Sequence, residues 1–138
     1  VEQFRESFNE TVGKLLDGIV SEPVVDIDCW VQPENIGSHL LQDLERLQPY
    51  GQANPEPVIG TRHIELAQPP QLIGEGGKHF RFYHFNTNGE RVSGIAWNLG
   101  ASAPPANTAL DMAFKLSWNH WNDSTYPQME IIDWRLSE

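Results

Sequence analysis

The residues best equipped for chemistry lie in one short stretch, Lys78-His79-Phe80-Arg81-Phe82-Tyr83-His84-Phe85. Side chains in an extended strand alternate between two faces. His79, Arg81, Tyr83 and Phe85 therefore share one face, with Lys78 nearby, and Phe80, Phe82 and His84 share the other. A face mixing cations with aromatic rings is what single-stranded nucleic acid uses, with charge near phosphates and rings under bases. The same face could instead pack Tyr83 and Phe85 under loops or helices, and the alternation fits both readings. Phe80 and Phe82 are expected in the core.

Other candidates are weaker. Asp26 and Asp28 share a face of the strand-like run Val24–Val31 and could act as a carboxylate pair. No third ligand type lies nearby, so a solvated strand face is the favoured reading. Five histidines are present, but none pair at helical spacing, and His79 and His84 fall on opposite strand faces. No metal site or self-contained catalytic centre is expected. Gly74-Glu75-Gly76-Gly77-Lys78 echoes a phosphate loop, yet it lacks the Lys-Ser/Thr ending and precedes a strand. Its glycines are expected to form a bend. Trp118 and Trp121 flank a turn, as either a stacking platform or a plug. Trp97 shares a face with Ile95 and is expected in the core.

These residues must be held by one domain, since the chain has 138 residues. Its net charge is −10, which disfavours a generic nucleic-acid binder. The charge is uneven, however. Residues 1–60 carry 3 basic and 11 acidic side chains, and residues 61–120 carry 5 and 4, so only the middle could face an anion. The single cysteine, Cys29, excludes an internal disulfide. No apolar run is long enough for a membrane span. The start at Val1 suggests a cut inside a longer protein, or processing.

Phe4, Phe8, Val12, Leu15, Leu16 and Ile19 predict an amphipathic helix over 4–19. A strand over 24–31 and a helix over 33–47 follow, the helix striped by Ile36, Leu40, Leu41, Leu44 and Leu47. Three prolines and a glycine make 49–57 a rigid loop. Strands are expected over 57–67, 78–86, 91–98, 109–119 and 127–136, with a hairpin turn at Asn88-Gly89. The fold class is thus mostly β with N-terminal helices. Five short strands favour an OB-like five-stranded β-barrel, preceded by helix-strand-helix.

The loop carries a resemblance. Leu44-Glu45-Arg46-Leu47-Gln48-Pro49-Tyr50-Gly51-Gln52-Ala53-Asn54-Pro55-Glu56-Pro57 resembles the L-x-x-L-x-P-(F/Y)-G-x-(G/A)-N-P-E-P segment of the RecJ family, the bacterial single-stranded-DNA-specific exonucleases. Ile27-Asp28, Gly77-Lys78-His79-Phe80-Arg81-Phe82, Gly94-Ile95-Ala96-Trp97 and Trp118-Asn119 with the 129–136 strand are similar to its flanking segments. Asp123 stands near where the family has glycine. Phe4-Arg5-Glu6-Ser7-Phe8 resembles the helix that follows the family's G-G-H-x-x-A-A-G motif. Neither that motif nor the DHH catalytic motif occurs here, and Gly76-Gly77-Lys78-His79 is only an echo of the former.

The resemblance implies a helix from the preceding DHHA1-like domain over 1–22, a strand-helix-loop linker over 23–56 and an OB-like barrel over 57–138. It implies a single-stranded-DNA-binding domain of a cytoplasmic 5′→3′ exonuclease of repair and recombination. Lys78, Arg81 and Arg62 would meet phosphates. Tyr83, Tyr50 and Trp121 would stack on bases, and Asn54 would make a polar contact or support the loop. No cofactor is expected in this chain; Mn2+ or Mg2+ belongs to the catalytic domain. Implied partners are single-stranded DNA, and single-strand-binding protein or other repair proteins, with no membrane. The alternative is a protein-interaction or interdomain clamp module without intrinsic DNA binding.

Overall fold

Seven β-strands form a single mixed sheet in a computed structural model that describes residues 3, 6, 7, 24–66 and 68–138. The helix expected over 4–19 lies outside the described residues apart from Glu6 and Ser7, which are helical. The strands are β1 Cys29–Val31, β2 Ile59–Glu65, β3 Gln71–Ile73, β4 His79–Phe85, β5 Arg91–Ala96, β6 Ala109–Trp121 and β7 Ser124–Leu136. Their order across the sheet is β1-β2-β6-β7-β5-β4-β3. The β1·β2 and β5·β7 pairs are parallel and the others antiparallel.

The mostly-β expectation holds, and the five expected strands are β2, β4, β5, β6 and β7. The strand expected ahead of them joins as β1 and an unexpected β3 makes seven, and no ladder links β1 to β3 among the described residues, so the sheet is open where a five-stranded barrel was expected. β3 has only three residues, between Pro69-Pro70 and Gly74, too few for an alternating pattern. The expected strand over 24–31 shortens to Cys29–Val31.

The second helix is also shorter than its stripe suggests. A 3₁₀ turn at Pro33–Asn35 precedes α1, Ser38–Glu45, with Gly37 at the junction. Ile36, Leu41 and Leu44 are buried, but Leu47 lies beyond the helix and is exposed. The sheet's inner face packs against this stripe with Ile59, Ile64, Phe80, Phe82, Val92, Leu110, Phe114 and Met129. The alternation of β4 accounts for its part: Phe80 and Phe82 are almost wholly buried.

Polar side chains fix α1 at both ends. Glu90, just before β5, accepts the Ser38 N–H at 2.8 Å and also the Ser38 hydroxyl. A carboxylate there meets free N–H groups and the positive end of the helix dipole. At the other end Trp118 Nε1 donates to Glu45 Oε1 at 2.6 Å. His84 Nε2 lies 2.7 Å from the Pro33 carbonyl, tying the β4–β5 hairpin to the helix start.

The β4–β5 register sets Phe82 opposite Gly94. A Cβ at Gly94 would come within 2.2 Å of the Phe82 ring, so the ring occupies the space a side chain would need. Gly94→Ala should therefore displace the ring and destabilise the domain by roughly 1–3 kcal/mol, the usual cost of overpacking a core. Urea unfolding checks this; an unchanged midpoint would show that the ring can move aside freely.

Candidate nucleic-acid interface

The hairpin turn sets the geometry of the face. Asn86 Oδ1 accepts the N–H groups of Asn88 and Glu90, both at 3.0 Å, and Gly89 takes φ 76°, a conformation other residues rarely adopt. This turn places Arg91 opposite Phe85, Ser93 opposite Tyr83 and Ile95 opposite Arg81. Paired residues share a face, so Arg81, Tyr83, Phe85 and Arg91 stand together on the outer side of the sheet. The face continues through Gln128 and Glu130 of β7 to Ser117 and Lys115 of β6.

At its centre are two guanidinium groups around one ring. The Arg91 guanidinium carbon lies 4.8 Å from the Tyr83 ring centroid, and that of Arg81 lies 5.7 Å from it. Arg81 Nη2 donates to Gln71 Oε1 at 2.8 Å, while its buried Nε has no acceptor. Among the described residues neither arginine has a carboxylate partner. Tyr83 and Phe85 are 38% and 57% exposed, so the rings are open to solvent rather than roofed. Gln68, Pro69 and Gln71 complete a cleft of about 220 Å³ with them.

Farther along the face the polar groups hold one another. Asn119 Nδ2 donates to the Tyr126 hydroxyl at 3.2 Å and to Gln128 Oε1 at 2.8 Å. Trp121 ends β6 at the hairpin tip and is 67% exposed. Trp97 corrects the sequence expectation of a core residue. It lies just past β5 and is half exposed, and its ring meets His79 edge-on at 4.9 Å. It does share a face with Ile95, but that face is the outer one. Ile95 is shielded in mid-sheet, whereas Trp97 has run past the strand's end.

The other predicted site residues are dispersed. Lys78 is exposed just before β4 and lines a separate groove with Leu72, Asn98 and Ala101. Arg62 lies on β2, with β6, β7 and β5 between it and β4, and its guanidinium sits 4.3 Å over the Trp30 ring. Tyr50 and Asn54 direct their polar groups to the end of α1. The Tyr50 hydroxyl donates to the Leu44 carbonyl at 3.0 Å. Asn54 Nδ2 donates to the carbonyls of Leu47 at 2.6 Å and Pro49 at 3.0 Å, next to the cis Gln48–Pro49 bond. Burial, and then the carboxylates of Glu56 and Glu45, push the Tyr50 phenol up, which keeps it a neutral donor. Asp28 Oδ2 accepts the Val58 N–H at 2.8 Å, so that carboxylate serves the β1·β2 approach. Among the described residues no three His, Cys, Asp or Glu side chains gather as metal ligands.

Arg91 and Trp97 are the residues that sequence reasoning left off this face, whereas the alternation of β4 had already put Phe85 on it. The register implied by Asn88-Gly89 was the available signal for Arg91, because counting back from that turn sets it across from Phe85.

Arg62 owes its position to a bulge. Arg62 and His63 together face the single Asp111 of β6, and His63 adopts φ 57°. Asp111 is buried and accepts hydrogen bonds from Ser137 Oγ at 2.6 Å, Arg135 Nε at 3.1 Å and the His63 N–H at 3.3 Å. Burial alone would raise its pKa, but these bonds and the Arg135 charge outweigh burial and hold the carboxyl below the usual range.

The fold is thus a mixed β-sheet with aromatic rings and cations on one open face, an arrangement compatible with an OB-type domain. Residues 27–133 match the family model described as the RecJ OB domain. The chain therefore belongs to the RecJ OB domain family. It is 30% identical over 139 residues to the single-stranded-DNA-specific exonuclease RecJ of Salmonella typhimurium, covering 98% of this chain and 23% of that protein. It is 32% identical over 99 residues to the protein of the same name from Thermus thermophilus, covering 72% of this chain and 13% of that one. The crystal structure of Thermus thermophilus RecJ in complex with Mn2+ aligns with all of this chain and 20% of its own, with a TM-score of 0.64 and 26% identity. The chain thus spans between 13% and 23% of the length of the curated relatives it matches.

The Asp111 knot gives a pH prediction. A depressed carboxyl stabilises the fold fully above its unfolded pKa of about 4, and this contribution is lost as pH falls through the folded value. Asp111→Asn should cost about 1–3 kcal/mol at pH 7, and the gap from the parent should narrow as pH drops below about 4. Thermal unfolding at several pH values measures it; a gap constant with pH would show that the charge of Asp111 contributes nothing.

Proposed function

We propose that this chain is the strand-holding domain of a RecJ-type exonuclease. The reading rests on one observation: Arg81 and Arg91, without acidic partners among the described residues, flank the exposed Tyr83 ring on an open sheet face. Cations free of carboxylates can release counterions to bind phosphates, and an exposed ring can take a base. Residues 57–138 would form the OB domain, with 23–56 as linker and 1–22 belonging to a preceding domain. In the longer protein the face would guide single-stranded DNA toward a separate phosphodiester-hydrolysing centre that uses Mn2+ or Mg2+. Lys78 would extend the phosphate track past β4, and Trp121 would add a ring beyond Gln128.

The test is fluorescence anisotropy of a labelled single strand of about 20 nucleotides, against its duplex, over a range of salt. The single strand should bind more tightly, and salt should weaken it. Replacing Lys78 and Arg81 together by alanine should lower affinity and make the log–log salt slope shallower by about 1.4, two contacts at roughly 0.7 each. Unchanged affinity in that double variant would remove this face from consideration.

A second reading has its own observation. Glu34, Asp43 and Glu90 line a groove of about 580 Å³ at the start of α1, on a chain of net charge −10. Such a groove suits a basic protein surface, as an interdomain clamp would require. Absence of single-strand binding at low salt, together with salt-sensitive capture of the other RecJ domains, would favour it.

A further inference from the structure

We infer that Tyr83, Arg81 and Arg91 form a subsite for one nucleotide unit, in which Arg91 covers the ring when the site is empty and exchanges it for a backbone phosphate when a base arrives. The inference rests on the proposed single-strand reading of this face.

The geometry carries the argument. The Arg91 guanidinium lies over the Tyr83 ring at 4.8 Å, within the range of a cation–π contact. A base stacked on that side of the ring needs the same space, so the two cannot be there together. Arg91 has no carboxylate holding it among the described residues, and its strand position opposite Phe85 leaves its side chain exposed. It can therefore leave the ring without breaking an ion pair. Arg81 differs in being partly buried and tied to Gln71 at 2.8 Å, which makes it the fixed cation of the subsite. Its Nε, buried and without an acceptor, leaves donor capacity unspent. The cleft of about 220 Å³ beside these residues gives a phosphate and sugar room to enter.

The relative strengths favour the exchange. An exposed cation–π contact is worth roughly two- to fivefold in an equilibrium, and a base stacked on an aromatic ring roughly fivefold or more. The displaced guanidinium then gains a phosphate. Arg91 thus acts in opposite directions: it adds an electrostatic contact to the complex and stabilises the empty site. Salt separates the two effects, because it weakens the phosphate contact far more than stacking.

The experiment measures binding of fluorescein-labelled (dT)20 to the 138-residue chain by anisotropy from 50 to 300 mM NaCl. The proteins are the parent, Arg91→Ala, Tyr83→Ala and the double variant. Arg91→Ala should bind more weakly at 50 mM, with a salt slope shallower by about 0.7. Extrapolated to 1 M salt, where the electrostatic part vanishes, it should bind roughly two- to fivefold more tightly than the parent. In the Tyr83→Ala background the same substitution should still flatten the slope but give no gain at 1 M. A loss at 1 M, an unchanged slope, or a gain that persists without Tyr83 overturns the exchange while leaving single-strand binding in place. A parent that fails to bind (dT)20 at 50 mM, or that is matched by Tyr83→Ala, overturns the reading of the face itself.

Discussion

The outer face exists because Phe82 lies opposite Gly94 and nothing larger fits there. That pairing locks the β4–β5 register, and a slip of one residue would turn every side chain of β4 over. Phe80 and Phe82 would face water, and Arg81 would face the core beneath Ile36 and Leu44. Burying the two phenylalanine rings is worth several kcal/mol, while burying an unpaired guanidinium carries a penalty of several more. Core packing and the placement of the cations are thus settled by one register. The helix shares in it, because Glu90, which follows the same turn, receives the first N–H of α1.

The acidic character of the chain is partly a structural resource. Glu90 and Glu45 hold the two ends of α1, Asp28 accepts from the segment leading into β2, and Asp111 gathers the β2 bulge with the C-terminal end of β7. These carboxylates are occupied with N–H and O–H donors of the fold. The cations at Tyr83 are left without such partners, so a negative chain can still present a locally positive face. Net charge describes long-range steering, and the local arrangement describes contact. The two point in different directions here.

Much of this was legible in the chain. The alternation Phe80, Phe82 against Arg81, Tyr83 gave β4 and both its faces, and Asn88-Gly89 gave the hairpin. The Pro-Tyr-Gly to Asn-Pro-Glu-Pro loop carried the family resemblance. Other parts depended on distant partners. β3 is three residues long and exists through its pairing with β4. Gly37 cuts α1 shorter than the spacing of its leucines suggested. Trp97 obeyed the alternation but lay past the strand's end, and alternation assigns a face without assigning shelter. Arg62 was chosen for its charge, yet strand order puts three strands between it and Arg81's strand, a relation that no local pattern encodes.

The brevity of β3 has a further effect. The outermost strand beyond β4 offers another chain only three residues to add to, and Pro69 and Pro70 just before it lack the N–H groups that a neighbouring strand would bond. Gly74 follows directly at φ 83°, turning the backbone away. A sheet whose aromatic face must stay open to solvent is exposed to sideways growth between molecules, and a blunted rim is how proteins suppress it. The same three residues that escaped the sequence pattern therefore blunt this rim of the sheet against edge-to-edge pairing with another molecule.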